Sequence, residues 1–260
     1  MKRIMTLLSV ALLALTACTQ QTTEKVKILA HRGNASTGAE FTTDENTLDA
    51  LKRAQERDFD GIEFDVHLTA DDQLVIHHDN KIAGTDLTCQ GSTFDEIRAH
   101  RLPFGHQIPT LREWLEQAKQ TPHILQMLEL KSHKREREVL LITKCLEVIR
   151  ELDMVDQMYM LSFKSETLDE VLRQQPDMKT ILNSSSLHHS MTPAEVKEKG
   201  YTAASYNINV ILQYPEWIQE FKDYGIETFF WMVNSSYLYD LAGELGFTWA
   251  TTDFRDVIKK

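Results

Sequence analysis

Positive charge is scarce in this sequence: 28 Lys and Arg stand against 39 Asp and Glu, a formal net charge of -11 over 260 residues. That balance excludes nucleic acid as an expected partner, because binding it depends on basic side chains that displace counterions from phosphates. No apolar run reaches the roughly 20 residues that a helix needs to cross a bilayer. Cysteine is nearly absent, with three residues, and no low-complexity linker divides the chain in two. What is present is enough apolar material, 42% of residues, for one large core, and the length suits a single α/β barrel.

The first residues read as an export signal, with Lys2 and Arg3 ahead of an apolar run from Ile4 to Leu15 and small residues before Cys18. Leu15-Thr16-Ala17-Cys18 resembles the bacterial lipobox, which implies cleavage before Cys18 and lipid on its thiol. The expected organisation is a signal peptide over residues 1–17, a lipidated tether over 18–26 and a catalytic domain over 27–260. The mature chain is then an exported bacterial lipoprotein, held to a membrane on the periplasmic or cell-surface side; ordinary secretion is the alternative. Cleavage removes Lys2 and Arg3 and no acid, taking the formal charge from -11 to -13. Such a surface does not attract anionic headgroups, so anchoring rests on the acyl chains, more than one of which is needed. Cys89 and Cys145 remain; export permits a disulfide between them, while the helical rhythm around Cys145 favours a buried thiol.

From Val26 onward, short β-rich apolar runs alternate with amphipathic stretches, the pattern of strand, helix, strand units on a parallel sheet. A polar loop with Gly38 leads to Glu45-Asn46-Thr47 and a helix whose Leu48, Leu51 and Ala54 share a face. Thr192, Pro193 and Glu195 make a capping-box start, and Gly200, Gly225 and Gly246 stand where helices stop.

Strand candidates end near His31, Asp65, His78, Glu129, Ser162, Asn183, Tyr206, Asn234 and Asp253. That is one more than a closed barrel of this type holds. Connector length decides which is extra: a parallel crossover takes a dozen or more residues, whereas only Thr69-Ala70-Asp71-Asp72-Gln73 separates the second candidate from the third. These two are expected to form a hairpin turning at Asp71-Asp72, pairing Val66 with His77 and Asp65 with about His78.

A barrel of this kind keeps its active site at the C-terminal strand ends. There the chain places His31, Arg32, Glu63, Asp65, His78, Glu129, Lys131, Ser162, Trp231, Asn234 and Asp253. Glu63 and Asp65 alternate onto one strand face, and with Glu129 they offer hard oxygen ligands suited to Ca²⁺ or Mg²⁺. Arg32 and Lys131 supply fixed positive charge for an anionic group. The chemistry these types support together is metal-assisted cleavage of a phosphodiester, with His31 and His78 dividing acid and base work. His67, His77, His100, His106, His123, His133, His188 and His189 lack that convergence and read as surface or structural.

The residues Ala30-His31-Arg32-Gly33, Glu45-Asn46-Thr47, Gly61-Ile62-Glu63-Phe64-Asp65-Val66, His78-Asp79, Ile108-Pro109-Thr110-Leu111, Glu129-Leu130-Lys131, Ser162-Phe163, Trp231-Met232-Val233-Asn234 and Thr252-Asp253 occur in that order. They resemble the motifs of glycerophosphodiester phosphodiesterases, over nearly the whole mature chain. The resemblance implies a TIM barrel of the phospholipase-C-like phosphodiesterase kind, with an insertion at about residues 80–107. It also implies hydrolysis of glycerophosphodiesters to glycerol 3-phosphate and an alcohol. By the same resemblance Glu63, Asp65 and Glu129 match metal ligands and His31 and His78 the acid-base pair. Arg32 and Lys131 match phosphate contacts, Glu45 an acid on the metal or the glycerol, and Trp231 an aromatic wall. The chain departs from the pattern at Asp44, where proline is usual, after Asp253, where a proline is missing, and through the insertion with Gly84, Cys89 and Gly91.

Two other readings compete. A phospholipase of the C or D type acting on intact lipids would show an apolar rim. A lipid-anchored protein that binds phosphodiesters without turnover would have two lobes and no need of paired histidines.

Overall fold

Eight parallel strands close into a barrel in the computed structural model, which describes residues 25–34, 42–186, 188 and 190–257. The expected signal peptide, Cys18, Gly38 and His189 lie outside the described residues. In chain order the elements are β1 (Lys27–Ala30), α1 (Leu48–Gln55), β2 (Gly61–Leu68), β3 (Leu74–Ile76), α2 (Phe94–Ala99), α3 (Leu111–Ala118), β4 (Leu125–Leu130) and α4 (Arg135–Glu151). There follow β5 (Met158–Ser162), α5 (Ser165–Gln174), β6 (Lys179–Ser184), α6 (Pro193–Glu198), β7 (Ala203–Asn207), α7 (Ile208–Gln213), α8 (Trp217–Asp223), β8 (Glu227–Trp231), α9 (Ser236–Leu245) and β9 (Trp249–Thr252). Strand β1 pairs with both β9 and β2, so among the described residues the sheet has no free edge except at β3, which runs antiparallel to β2. This is the TIM barrel that the order of elements implied. Among the described residues no helix is long and apolar enough to cross a membrane.

Local chemistry sets the helix ends. Thr47 Oγ1 accepts from the Ala50 amide to start α1, and Thr192 with Glu195 and Pro193 starts α6 as a full capping box. Helix α9 stops at Gly246, whose φ of 85° needs a residue without a Cβ. Val26, assigned to the tether from sequence, is buried and its carbonyl accepts from Tyr239 Oη at 2.8 Å.

Alternation along the strands sorts the core into an inside and an outside. Leu29, Met127, Tyr159, Leu161, Ile181, Ala203, Phe229 and Trp249 fill the barrel, while their strand neighbours Ile62, Leu128, Met160, Leu182, Ala204 and Phe230 pack against the helices. All eight inner residues carry odd numbers. Gly61 is inner too, since a Cβ there would come 2.5 Å from Leu29 and 3.3 Å from Trp249. At the N-terminal floor, Glu227 accepts from Tyr159 Oη and Trp249 Nε1, both at 2.6 Å. Carrying the odd phase to the other end brings His31, Glu63, Asp65, His67, Glu129, Lys131, Phe163, Asn183, Ser205, Trp231 and Asp253 to the mouth.

The hairpin is present, but its register differs by one residue from the expected one. Val66 pairs with Ile76, His67 with Val75 and Leu68 with Leu74, and the His77 amide donates to the Asp65 carbonyl at 3.1 Å. The cause is the turn. Thr69 and Gln73 still pair, with N to O at 2.9 Å and Gln73 N to Thr69 Oγ1 at 2.9 Å. The loop is thus Ala70-Asp71-Asp72, an odd number, with Asp72 in the left-handed region at φ 63°. His77 rather than His78 therefore lies opposite Asp65, and His78 follows one residue past the paired segment. The insertion then builds its own small core from Val75, Ile82, Cys89, Ile97, Leu102 and Ile108. Cys89 and Cys145 are both free and buried.

Candidate active site

The chain enters the mouth at His31-Arg32-Gly33, a single turn after β1 with Arg32 at φ 53° and Gly33 at φ 70°. That kink turns the Arg32 amide onto Glu63 Oε2 at 2.8 Å. Gly33 permits it, since a Cβ would meet the Trp114 ring at 3.1 Å and Ala50 Cβ at 3.3 Å. The Arg32 side chain reaches Glu45 Oε1 at 2.8 Å, and its buried Nε, 4.0 Å from Asp65 Oδ2, makes no hydrogen bond among the described residues.

Glu63, Asp65 and Glu129 present carboxylate oxygens that all lie within 4.8 Å of one another. Asp65 is held from two sides: Asn46 Nδ2 donates to Oδ2 at 2.8 Å, and Asn46 Oδ1 accepts the Asp65 amide at 3.1 Å. Lys131 Nζ stands 2.7 Å from Asp65 Oδ1 and 2.6 Å from Glu129 Oε1. Its approach to Oδ1 is off hydrogen-bond geometry, which leaves that buried oxygen without a donor. Three carboxylates against two cations, with one acceptor unsatisfied, fit a divalent ion with oxygen ligands.

The electrostatics follow from that crowding. Burial and then the Asp65 charge push the Glu63 carboxyl up to about 8. Burial and Asp65 also raise Glu129. Asp65 goes the other way: burial opposes ionisation, but the charges of Lys131 and His78 and the bond from Asn46 outweigh it. Bringing a cation among these groups favours the ionised form of all three.

The two histidines differ. His31 Nδ1 lies 2.7 Å from Asp253 Oδ1, and Asp253 is itself held by Asn234 Nδ2 at 2.7 Å and Asn34 Nδ2 at 3.5 Å. Burial lowers the His31 pKa, yet the Asp253 bond and the charges of Glu63 and Asp253 leave it raised. His78 Nδ1 pairs with the exposed Asp79 at 2.8 Å. Burial, together with Lys131 and Arg32 and against the pull of Asp65, holds His78 below its ordinary value.

Sequence reasoning and structure part at several places. Ser162 shares the outer face with Met160 and accepts from the Lys164 amide at 3.2 Å, so Phe163 takes its place at the mouth, edge-on to Trp231 at 6.5 Å. Trp231 is fixed by its Nε1 bond to the Ser205 carbonyl at 3.2 Å. His67 and His133, read as surface or structural, are both buried beside the site and bonded to main-chain groups, in keeping with the structural half of that reading. Burial foremost lowers His67 to about 3 and His133 to about 4. Asn183 faces inward with an Oδ1 that has no hydrogen-bond partner. Asp44, where proline was expected, accepts from the Phe104 amide at 3.0 Å and His106 Nδ1 at 2.9 Å, tying the insertion to the Glu45 turn.

Comparison with known proteins converges on one group. A model of the glycerophosphoryl diester phosphodiesterase family matches residues 31–257. A glycerophosphodiester phosphodiesterase of Caldanaerobacter subterraneus subsp. tengcongensis is 29% identical over 228 residues, 81% of this chain and 86% of that protein. The crystal structure of a glycerophosphodiester phosphodiesterase from Parabacteroides distasonis superposes with a TM-score of 0.81 at 31% identity, covering 88% of this chain and 93% of the other. An Oleispira antarctica phosphodiesterase, determined with the product sn-glycerol-3-phosphate, shares the fold with a TM-score of 0.76 at 22% identity over 89% and 94% of the two chains. Since the family match runs from the first histidine at the mouth to the turn that follows the last barrel strand, the chain belongs to the glycerophosphoryl diester phosphodiesterase family.

Proposed function

We propose that the protein hydrolyses glycerophosphodiesters to glycerol 3-phosphate and an alcohol, with Ca²⁺ or Mg²⁺ held by Glu63, Asp65 and Glu129 and with His31 and His78 as the acid-base pair. The carrying observation is a carboxylate cluster within 4.8 Å, joined by two imidazoles whose Nδ1 atoms are each engaged by an aspartate. Family membership and the similar phosphodiesterases support the same reaction. When bound, the cation supplies positive charge to the phosphoryl oxygens and acidifies a hydroxyl in its sphere.

The rest is done by the chain's own groups. Arg32 turns an uncommitted Nε toward the site and Lys131 adds an ammonium, so both counter charge that grows on the phosphoryl oxygens. With Nδ1 tied to Asp253, His31 keeps Nε2 for proton transfer; His78, tied to Asp79, does likewise. One takes a proton from the attacking oxygen and the other delivers one to the leaving alkoxide. Glu45 steers Arg32 through its 2.8 Å bond, and Trp231 with Phe163 walls the substrate. We propose further that Cys18 carries lipid and holds the enzyme at a membrane outside the cytoplasm, a reading supported by the sequence of residues 1–18.

Turnover of a panel of glycerophosphodiesters, with and without chelator and in ¹⁸O water, tests the reaction and which P–O bond breaks. Activity unchanged by exhaustive chelation refutes the metal, and wild-type rates in His31→Ala or His78→Ala refute the acid-base pair, whose loss should cost about 10²-fold or more. Continued membrane association of Cys18→Ser refutes the anchor. A second reading, action on intact lipids, is favoured by exposed apolar side chains near the mouth: Phe104 at 55%, Phe163 at 44% and Met232 at 43%. Hydrolysis of phospholipid vesicles faster than of soluble glycerophosphodiesters would select it.

A further inference from the structure

His67 is the fourth inward-facing residue of β2, after Gly61, Glu63 and Asp65, and it is neither a ligand in the carboxylate cluster nor one of the two imidazoles proposed as the acid-base pair. Its ring spans a gap between two parts of the chain. Nε2 lies 3.2 Å from the carbonyl oxygen of His78, and Nδ1 lies 3.4 Å from Gln90 Nε2 in the insertion. A carbonyl only accepts, so Nε2 carries the proton and donates it. Nδ1 is then a lone pair, which matches the amide N–H of Gln90. The second N–H of that amide reaches the Ser132 carbonyl at 3.0 Å, on the loop after β4. One neutral tautomer and one amide orientation satisfy all three bonds that run from Ser132 through Gln90 and His67 to His78.

The hairpin gives this arrangement a purpose. Regular pairing stops at Ile76, and the bond from the His77 amide to Asp65 is the last from the β2–β3 ladder. His78 stands past it, its side chain bonded among the described residues only to Asp79, which is exposed. What fixes the His78 main chain from the barrel side is His67. The insertion reinforces that bond from behind: Gln90 N donates to Asn80 Oδ1 at 2.9 Å and Cys89 N to the Asn80 carbonyl at 2.6 Å, so the segment that follows His78 folds back onto the residue that holds His67.

We propose that His67, backed by Gln90 of the insertion, is the positioning residue that sets where His78 stands over the substrate. This rests on the acid-base role proposed for His78. On this view the insertion acts on proton transfer as well as on the shape of the pocket, and His67 works entirely through His78. Loss of the bond lets the His78 main chain move, and a displacement of about 1 Å at a reacting group costs on the order of 10²-fold in rate.

The test is a double-mutant cycle on the full-length protein, with glycerol 3-phosphate release as readout and thermal melting as the check on folding. His67→Leu should lower kcat about 10- to 100-fold with KM within about twofold. His67→Gln, whose amide can donate where Nε2 did, should recover to within about threefold of wild type, and Gln90→Leu should fall in the same direction by a smaller factor. In a His78→Ala background, His67→Leu should cost nothing more. A His67→Leu rate within twofold of wild type overturns the proposal, as does an equal loss in the His78→Ala background or a folded His67→Gln as slow as His67→Leu. If His67→Leu does not fold, Gln90→Leu decides: a loss that vanishes without His78 supports the role, and full activity overturns it. Wild-type turnover by His78→Ala would instead remove the acid-base reading itself, and this inference with it.

Discussion

Replacing Asp253 by asparagine changes one oxygen into an amide nitrogen, and the surrounding bonds determine where that nitrogen goes. At the Oδ2 position it would meet the Asn234 amide nitrogen at 2.7 Å. Asn234 cannot turn to relieve the clash, because its Oδ1 already accepts from the Asp253 amide at 2.9 Å and Thr252 Oγ1 at 3.1 Å. At the Oδ1 position the competing donor, Asn34 Nδ2, is 3.5 Å away, so the new NH2 turns toward His31. A donor there requires His31 to accept at Nδ1 and to move its proton to Nε2, the nitrogen that the proposed mechanism reserves for proton transfer. The variant thus fixes the histidine in the opposite tautomer and also withdraws the charge that supports an imidazolium. We expect kcat/KM for glycerophosphodiesters to fall by about 10²- to 10⁴-fold, the range for general acid-base catalysis, or about 3 to 5 kcal/mol of barrier. Folding should suffer less, by at most about 3 kcal/mol for one hydrogen bond to a charged group. Release of glycerol 3-phosphate followed by a coupled dehydrogenase, alongside urea unfolding, separates the two effects. A folded Asp253→Asn protein that turns over within threefold of wild type would refute the orienting role of Asp253 and the use of His31 Nε2.

Three further outcomes are expected. His133 Nε2 accepts the Leu68 amide at 3.2 Å and its pKa falls to about 4 from 6.5, so between these values the unfolded chain binds a proton that the folded one refuses. Stability therefore rises with pH through this window and is lost on acidification, by about 2 kcal/mol from pH 7 to pH 5; urea midpoints across that range should flatten in His133→Gln, and an equal slope would contradict it. Gly33→Ala places a Cβ 3.1 Å from Trp114 at a φ of 70°, costing about 1 to 3 kcal/mol and dislodging the Arg32 amide from Glu63, so activity measured well below its melting temperature should also drop. Asp44→Ala strips the Phe104 amide and the His106 ring of their acceptor, at about 1 to 3 kcal/mol, and should expose residues 102–106 to limited proteolysis; unchanged cleavage would show that the tie does not hold the insertion.

What was legible in the sequence, and what was not, divides along the distance over which each contact acts. Glu63 and Asp65 share a face by strand periodicity alone, and the spacing of Glu129 from Lys131 repeats the rule on β4, so each strand's share of the cluster was legible locally and only the pairing of β2 with β4 had to come from the fold. The hairpin could be inferred from a short connector, but its register depended on whether Thr69 and Gln73 still paired, a matter of one side-chain bond. Periodicity also carried a signal for His67, two residues past Asp65; it was missed because the residue's partners, the His78 carbonyl and Gln90, lie across a turn and inside the insertion. Asp44 gave no hint of its role, since His106 is 62 residues away. Asn183 stood on a recognised strand, and only the barrel's interior shows its oxygen unmatched.

The common phase of the strands has a consequence for how such a chain can change length. With every inward side chain on an odd position, the barrel behaves like text in a two-letter reading frame. Deleting one residue from β4 before Glu129 would present Leu128 or Leu130 to the mouth and turn both charged groups out among the helices. A two-residue change keeps the frame and merely shifts the strand along its neighbours. Length variation confined to the loops beyond the strand ends leaves the frame untouched, as the segment between β3 and α3 does by folding on a small core of its own.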